Sequence, residues 1–333
     1  MPLPDHCWCG STNLETFGDG YLRCGDCRTL VTTTMPATDV RHVREDEAGL
    51  YGKDYWFDHQ EKDVGHPSIV ARVRDDLPER CAHWLAAVLR YKLPPARTLE
   101  LGCAHGGFVS LMRFAGYDAT GLELSPWIAN YARMTFDVPV VQGPVEQQPI
   151  EPGSLDVIAL FDVMEHLPDP LATLGHCASL LRPDGILMVQ TPATPMDASY
   201  DDLVAADALF LNHMRSLQAE HLYLFSPAGT RLAMERIGLP HVAYEPAIFA
   251  QYDQFFFASR QPLSPLDPAA ISAALTRTPG GRWAEALLSA ARDRDAYLSQ
   301  RDAYLRECEA RLRVINELAA EVDRLRGLVP PKE

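Results

Sequence analysis

Four cysteines crowd the start of the chain. Cys7 and Cys9 lie in HCWCG, and Cys24 and Cys27 lie in RCGDC. Two such knuckles supply the four soft ligands a tetrahedral zinc ion takes, and glycine beside each lets backbone amides turn toward the sulfurs. Cys24-x-x-Cys27 has the usual ribbon spacing. Cys7-x-Cys9 is one residue short, and His6, three before Cys9, is the alternative to Cys7. Four protein ligands leave no position for water, so the expected role of the metal is structural. The remaining cysteines, Cys81, Cys103, Cys177 and Cys308, are scattered.

A second constellation is the stretch TLELGCAHGGFV, Thr98 to Val109. An apolar run passes through an acid, Glu100, into a turn built on Gly102, Ala104, Gly106 and Gly107. FVSLMRFAG then reads as a helix stopped by Gly116, and YDATGLELS as a strand ending in Glu123. Strand, glycine turn, helix, strand and acid are the parts that seat an adenosine, the acid taking the ribose hydroxyls. The turn is not GxGxxG, because Ala104 stands at the second glycine, and no GKS/T follows, which excludes a P-loop. An acid before the turn repels a pyrophosphate and suits the cationic end of an amino-acid ligand. Ala104 is expected to take an ordinary negative φ.

Four segments together resemble the class I S-adenosylmethionine-dependent methyltransferases. ELGCAHGG resembles their first motif, GLELSP the second, PGSLDVIALFDVMEHLPDP the fourth-strand motif, and LLRPDGILMVQTP the turn and fifth strand. EHLYLFSPAGTRLAMERIG resembles the helix after their substrate-side segment. The likeness spans about residues 46 to 260. With the cysteine knuckles and YGKDYW it fits a zinc-ribbon-bearing subset associated with sugar, polysaccharide or natural-product modification.

The resemblance implies an α/β fold, a Rossmann-like core with a mostly parallel seven-stranded sheet, and S-adenosylmethionine as cofactor. It implies that Glu100 and the backbone of Gly102, Ala104 and Gly106 hold the methionine end. Glu123 would bind the ribose and Leu124 would face the adenine. Val145 and Glu146, in QGPVEQQP, would lie at the adenine edge. Phe161 and Asp162 would line the methyl-donor side.

Methyl transfer needs alignment of nucleophile, methyl carbon and sulfur, and for a hydroxyl acceptor one proton must leave. Histidine suits that task near neutral pH. His166 follows the fourth strand on the rim where open α/β sheets place ligands, and His221 follows a polar stretch expected to cover the site. These two are the candidate bases. His105 is expected to shape the turn. YGKDYWFDHQ reads as a lid, with Tyr51 and Tyr55 near the methyl group and Trp56 or His59 toward the acceptor. No compact Asp/Glu/His set stands out in the sequence, so it does not show whether a divalent metal joins the active site.

The elements that must position these groups fall into three regions. Residues 1–45 read as a zinc ribbon, 46–262 as the methyltransferase core, and 263–333 as a Pro-rich linker and helical tail. YDQFFFASR reads as the last strand, in a hairpin with HVAYEPAIF. In the tail, RDAYL at 294–298 recurs at 301–305. Leu298, Leu305 and Leu312 repeat every seven residues, and Ile315, Leu318, Val322 and Leu325 continue in steps of three and four. This pattern suits a self-associating coiled coil or a helix packed on its own domain.

The chain has 333 residues, is 47% hydrophobic and carries a formal charge of −15. That balance disfavours nucleic acid and anionic membranes as main partners. No transmembrane run and no secretory start are visible, so a cytoplasmic location is expected. The expected function is methyl transfer to a small-molecule or carbohydrate acceptor, above all O-methylation of a sugar in polysaccharide or glycoconjugate biosynthesis. The alternatives are a methyltransferase acting on protein or RNA, and a non-catalytic scaffold organising a glycan assembly through its tail.

Overall fold

The computed structural model describes residues 4–34, 51–63, 65, 67–216 and 220–326, without the side chains of His59, Asp63, His213, Ser216 and Asp323. The expected ribbon–core boundary at 45/46 lies outside the described residues. The chain divides into two units, Met1–Glu285 and Ala286–Glu333.

The N-terminal strands are β1 (Leu14–Gly18), β2 (Tyr21–Cys24) and β3 (Leu30–Thr32). The β1–β2 turn carries Asp19 at φ 45° and Gly20 at φ 77°. Two left-handed residues in succession match the right-handed twist of a tight hairpin.

The core sheet begins with β4 (Arg97–Leu101), β5 (Asp118–Glu123), β6 (Val140–Gln142), β7 (Leu155–Phe161) and β8 (Leu181–Pro192). A two-residue strand, β9 (Tyr223–Leu224), pairs antiparallel with β3 and completes a four-stranded sheet with the N-terminal strands. The remaining strands are β10 (His241–Glu245) and β11 (Asp253–Ser259).

The seven-stranded order is β10-β11-β8-β7-β4-β5-β6. The pairings β8–β7–β4–β5–β6 are all parallel, and β11 is antiparallel to both β8 and β10. This is the Rossmann-like arrangement expected, and the β10–β11 hairpin is the one read from the sequence. Every residue of β7 is buried, as a central parallel strand covered on both faces requires.

The helices in chain order are α1 (Ile69–Asp75), α2 (Ala82–Leu89), α3 (Gly107–Ala115), α4 (Pro126–Phe136) and α5 (Pro170–Leu180). They continue as α6 (Tyr200–Ala205), α7 (Leu209–Ser216), α8 (Pro227–Arg236), α9 (Pro268–Leu275) and α10 (Pro279–Arg326). A π-helical segment covers Tyr55–Asp63. Capping fits the sequence. Ser125, Asp169 and Ser226 each accept from a backbone amide at the start of α4, α5 and α8, each with Pro in the first turn. Gly116 closes α3 at φ 102°, as expected.

One apolar cluster joins the N-terminal segment, through Trp8 and Val31, to sheet residues such as Leu99, Ile158 and Leu187. Trp8 lies beside Phe225 at 5.6 Å between ring centroids, and Trp84 stacks on Phe161 at 3.8 Å. Pairs of this kind contribute about 0.5–1.5 kcal/mol beyond burial. Among the described residues no helix is long and apolar enough to cross a membrane.

Candidate active site and thiol cluster

Parallel strands end on one rim, and the strand order therefore orders the site. From β5 across to β11 the rim carries Glu123, then Gly102 after β4, then Phe161 at the end of β7 with Asp162 after it, then Thr191 near the end of β8. Asp253 begins β11, which runs the other way, and it is registered with Pro192. A cleft of about 270 Å³ opens along this rim.

At the β4–β5 end the turn is bare backbone. Gly102 has φ 68°, and a Cβ there would stand 2.7 Å from Val163 Cγ2. Ala104 has φ 45°. The expectation of an ordinary φ at Ala104 is thus corrected. The turn requires a left-handed residue there, and the resulting N–H reaches the Glu123 carboxylate at 3.2 Å. Left-handed geometry at alanine costs about 1–2 kcal/mol, which the local hydrogen bonding must offset.

Glu123 also accepts from the backbone amides of Leu124 at 2.8 Å and Ser125 at 3.2 Å. Burial raises its pKa against these three donors. Glu123, Leu124, Gly102 and Ala104 all face the cleft. So do Val145 and Glu146, the latter accepting from Thr173 Oγ1 at 2.6 Å.

Two expected donor-binding residues sit behind the turn and do not line the cleft. Gly106 takes φ 81° at the start of α3, packed toward Ala132 and Val138. Glu100 is buried, and its Oε2 has no hydrogen-bond partner among the described residues. Burial, then the Glu123 charge, pushes its pKa well up. His105 shapes the turn: its Nδ1 accepts from Gly107 N at 3.1 Å, and its Nε2 meets Asp76 at 3.1 Å.

At the β7 end Phe161 and Asp162 line the cleft, Asp162 at φ 55° and 3.5 Å from the Arg80 guanidinium. Arg80 and Arg72 both face the cleft from the α1–α2 region. Neither was anticipated, because a charge on an amphipathic helix reads as solvated surface. Asp253 was missed too. Trp84 Nε1 donates to Gln190, and Gln190 Nε2 donates to Asp253 at 3.1 Å. Burial, with the Asp162 charge adding, pushes Asp253 up to about 8.

His166 and His221 meet in the same cleft, their ring centroids 4.9 Å apart. His166 Nδ1 lies 2.9 Å from the Glu220 carbonyl oxygen. A carbonyl only accepts, so Nδ1 carries the proton and Nε2 is the nitrogen presented to the cleft. Burial lowers the pKa of His166. Beside them lies Glu165, fully buried. Its Oε2 accepts from Thr191 Oγ1 at 2.9 Å, and its Oε1 has no hydrogen-bond partner among the described residues. Ligand atoms of Glu165, His166 and His221 lie within 4.8 Å of one another. No such set stands out in the sequence, which separates His221 from Glu165; Leu222 N bonding Glu165 O at 2.8 Å brings them together.

Residues 51–60 border this end. Tyr51, Tyr55, Trp56 and Gln60 line the cleft, Tyr51 lying edge-on to His166 at 6.4 Å. Tyr55 donates to Glu220 Oε2 at 2.9 Å. The His59 side chain lies outside the described residues.

The four thiols form a separate centre. Sγ atoms of Cys7, Cys9, Cys24 and Cys27 lie within 4.8 Å of one another and all are buried. Cys7 and Cys27 are 3.6 Å apart, and Cys9 and Cys24 3.7 Å. His6 is exposed and bonds Asp5, so the cysteine set is the compact one. The donor set fits tetrahedral zinc.

Comparison with known proteins adds a family. A model described as a methyltransferase domain matches residues 73–244. The ubiquinone biosynthesis O-methyltransferase of Xanthomonas campestris pv. campestris (strain B100) is 35% identical over 128 residues, covering 35% of this chain and 54% of the relative. Its counterpart in Xanthomonas euvesicatoria pv. vesicatoria (strain 85-10) is 34% identical over the same length and coverage. The chain therefore spans about half the length of the curated relatives it matches. Among solved structures, magnesium protoporphyrin IX methyltransferase from Synechocystis PCC 6803 with bound SAH is similar at a TM-score of 0.44 and 19% identity, covering 63% of this chain and 98% of that one.

Proposed function

The chain belongs to the class I S-adenosylmethionine-dependent methyltransferases, and on that premise we propose that it O-methylates a small molecule, most specifically a hydroxyl of a sugar in polysaccharide or glycoconjugate biosynthesis. One observation carries the reading: Glu123 with its bare-backbone turn and the His166–His221 pair line a single cleft. S-adenosylmethionine supplies an activated methyl group on a sulfonium. Glu123 holds the ribose, and the backbone at Gly102 and Ala104 leaves room for the amino-acid end. Glu100, behind the turn, supports that end through the loop. Leu124, Val145 and Glu146 border the adenine.

Phe161 and Asp162 border the methyl group, with Arg80 holding Asp162 in place. Tyr51 covers the site and limits water. His166 and His221 meet the acceptor hydroxyl and help its proton leave. Tyr55, Trp56, Phe249 and Tyr252 give the acceptor stacking faces and hydroxyl tips, which suits a sugar ring. A phenolic acceptor is the second reading, favoured by the identity to ubiquinone biosynthesis O-methyltransferases.

In the same proposal the four cysteines hold a structural zinc ion. Residues 1–45, 46–262 and 263–333 serve as ribbon, catalytic core and tail, and the tail self-associates.

Calorimetry tests the donor. S-adenosylmethionine and S-adenosylhomocysteine should bind the intact chain and NAD should not, and Glu123→Ala should weaken donor binding at least tenfold. Absence of binding by either sulfur compound overturns the reading. Radiolabelled methyl transfer to panels of sugars and phenols then separates the two acceptor classes.

A further inference from the structure

We infer that Glu165, His166 and His221 form a binding site for a divalent first-row transition cation, whose open positions take the acceptor's hydroxyl oxygen. The inference rests on the O-methylation reading above and specifies how the acceptor is held.

Three independent observations converge. The first is the set itself: two imidazoles and one carboxylate with ligand atoms within 4.8 Å of one another, all lining the cleft. Glu165 Oε1 and His166 Nε2 are 4.0 Å apart. Two ligands each about 2.1 Å from a shared ion stand at most about 4.2 Å apart. The pair already has that spacing, and the set needs only a small contraction to close.

The second observation is an orphaned atom. Glu165 is 0% exposed, and its Oε1 has no hydrogen-bond partner among the described residues. A buried carboxylate oxygen left alone is destabilising, because folding takes it from water and returns no partner. The other oxygen, Oε2, is already engaged by Thr191 Oγ1. One oxygen is therefore oriented and the other left for a ligand.

The third is the outer support. His166 Nδ1–H donates to the Glu220 carbonyl, which fixes the ring and turns Nε2 inward. Ligating histidines are nearly always held this way by a carbonyl or carboxylate on the second nitrogen. The Leu222 amide bonds the Glu165 carbonyl, and Tyr21 Oη bonds the His221 carbonyl at 3.2 Å. Backbone from two distant segments is thus tied on both sides of the set.

The donor chemistry selects the ion. Imidazole suits zinc, iron, cobalt and their neighbours, whereas magnesium and calcium prefer all-oxygen sites. Three protein ligands leave at least one position for an exogenous oxygen, unlike the four thiols near the N-terminus. A cation of this kind lowers the pKa of a bound water to about 7, and a bound alcohol responds in the same sense. The bound hydroxyl releases its proton to water. Its electron pair forms the new O–CH₃ bond as the C–S bond breaks, and that bond's pair remains on the sulfur of S-adenosylhomocysteine.

The test is a Co²⁺ titration of the zinc-replete full chain, followed by visible absorption. One Co²⁺ per chain should bind with ligand-field bands and without thiolate-to-cobalt charge transfer. Affinity should fall at least tenfold in Glu165→Gln, His166→Ala and His221→Ala. Thiolate bands, no saturation, or unchanged affinity in folded variants overturns the site. Should the variants not fold, the unsubstituted chain decides: its Tm should rise with added Co²⁺, and a flat Tm overturns the site. Calorimetry with S-adenosylmethionine on the same preparation separates the two readings. Donor binding without Co²⁺ binding defeats the metal site alone, and loss of donor binding defeats the methyltransferase reading.

Discussion

The backbone amide of Ala104 donates to the carboxylate of Glu123 across 3.2 Å, so the acid that faces the cleft also closes the turn beside it. The contact exists only because Ala104 lies in left-handed space, at φ 45°. Glycine enters that region freely and alanine does so at about 1–2 kcal/mol.

Ala104→Gly should therefore stabilise the chain by about 0.5–1 kcal/mol, after the about 0.4–1 kcal/mol lost to a freer unfolded state. Urea denaturation measures it. A lower midpoint in the variant would show that residue 104 does not occupy this conformation. Gly102→Ala, at φ 68° and crowded by Val163, should lose more than about 1 kcal/mol and weaken donor binding with it.

Asp253 makes stability depend on pH. Its folded pKa is raised to about 8 from an ordinary 3.8. The folded chain thus keeps a proton that the unfolded chain gives up. Stability from this group is full below about pH 4, falls as pH rises, and levels off above about 8, with a slope of at most about 1.4 kcal/mol per pH unit. Asp253→Asn removes that slope. Urea melts at pH 5, 6.5 and 8 should show the variant gaining on the parent at each step, and parallel profiles would sink the assignment.

The thiol cluster should hold one zinc ion per chain. Cys24→Ser should abolish it in elemental analysis and lower Tm markedly, because the binding energy of a structural metal is folding energy. Ser226 Oγ donates to the Cys27 carbonyl at 2.6 Å, which passes the loss to the start of α8. Retained zinc would refute the ligand assignment.

The tail predicts an oligomer. Leu305, Leu312, Ile315, Leu318, Val322 and Leu325 are 45–61% exposed along α10. A second copy of the helix would cover that stripe by heptad packing. Leu312→Glu with Leu318→Glu should reduce the sedimentation mass from dimer to monomer. A mass unchanged by the substitutions, or a parent that is already monomeric, ends the idea.

Much of this architecture was legible because it is local. The run TLEL, the glycine turn, the stop at Gly116 and the acid at Glu123 lie within one strand–helix–strand unit, and each signal acts within a few residues. The β10–β11 hairpin was legible from FFF between turn residues. The site's other half was not. Glu165 looks like a cap beside His166, and only Thr191 on β8 and Leu222 before β9 show it buried and half engaged. Arg80 looks like helix surface until Asp162 and the Phe249 ring are seen beside it. Ala104 concealed its conformation because its side chain argues against it.

The short strand β9 carries a consequence for how the molecule comes into being. Tyr21 and His221 are 200 residues apart, yet the first bonds the carbonyl of the second, and β3 pairs with the strand that follows. The amino-terminal sheet leaves the ribosome early with an unpaired edge, and its fourth strand follows only after β8. Such long-range closure is slow compared with local hairpin formation. The thiol knuckles lie entirely in the early segment, so metal capture can order that segment during translation. The arrival of Tyr223 and Leu224 then seals the sheet and sets His221 in its place by the same event. Completion of the amino-terminal sheet and placement of one side chain of the cleft are thereby one step.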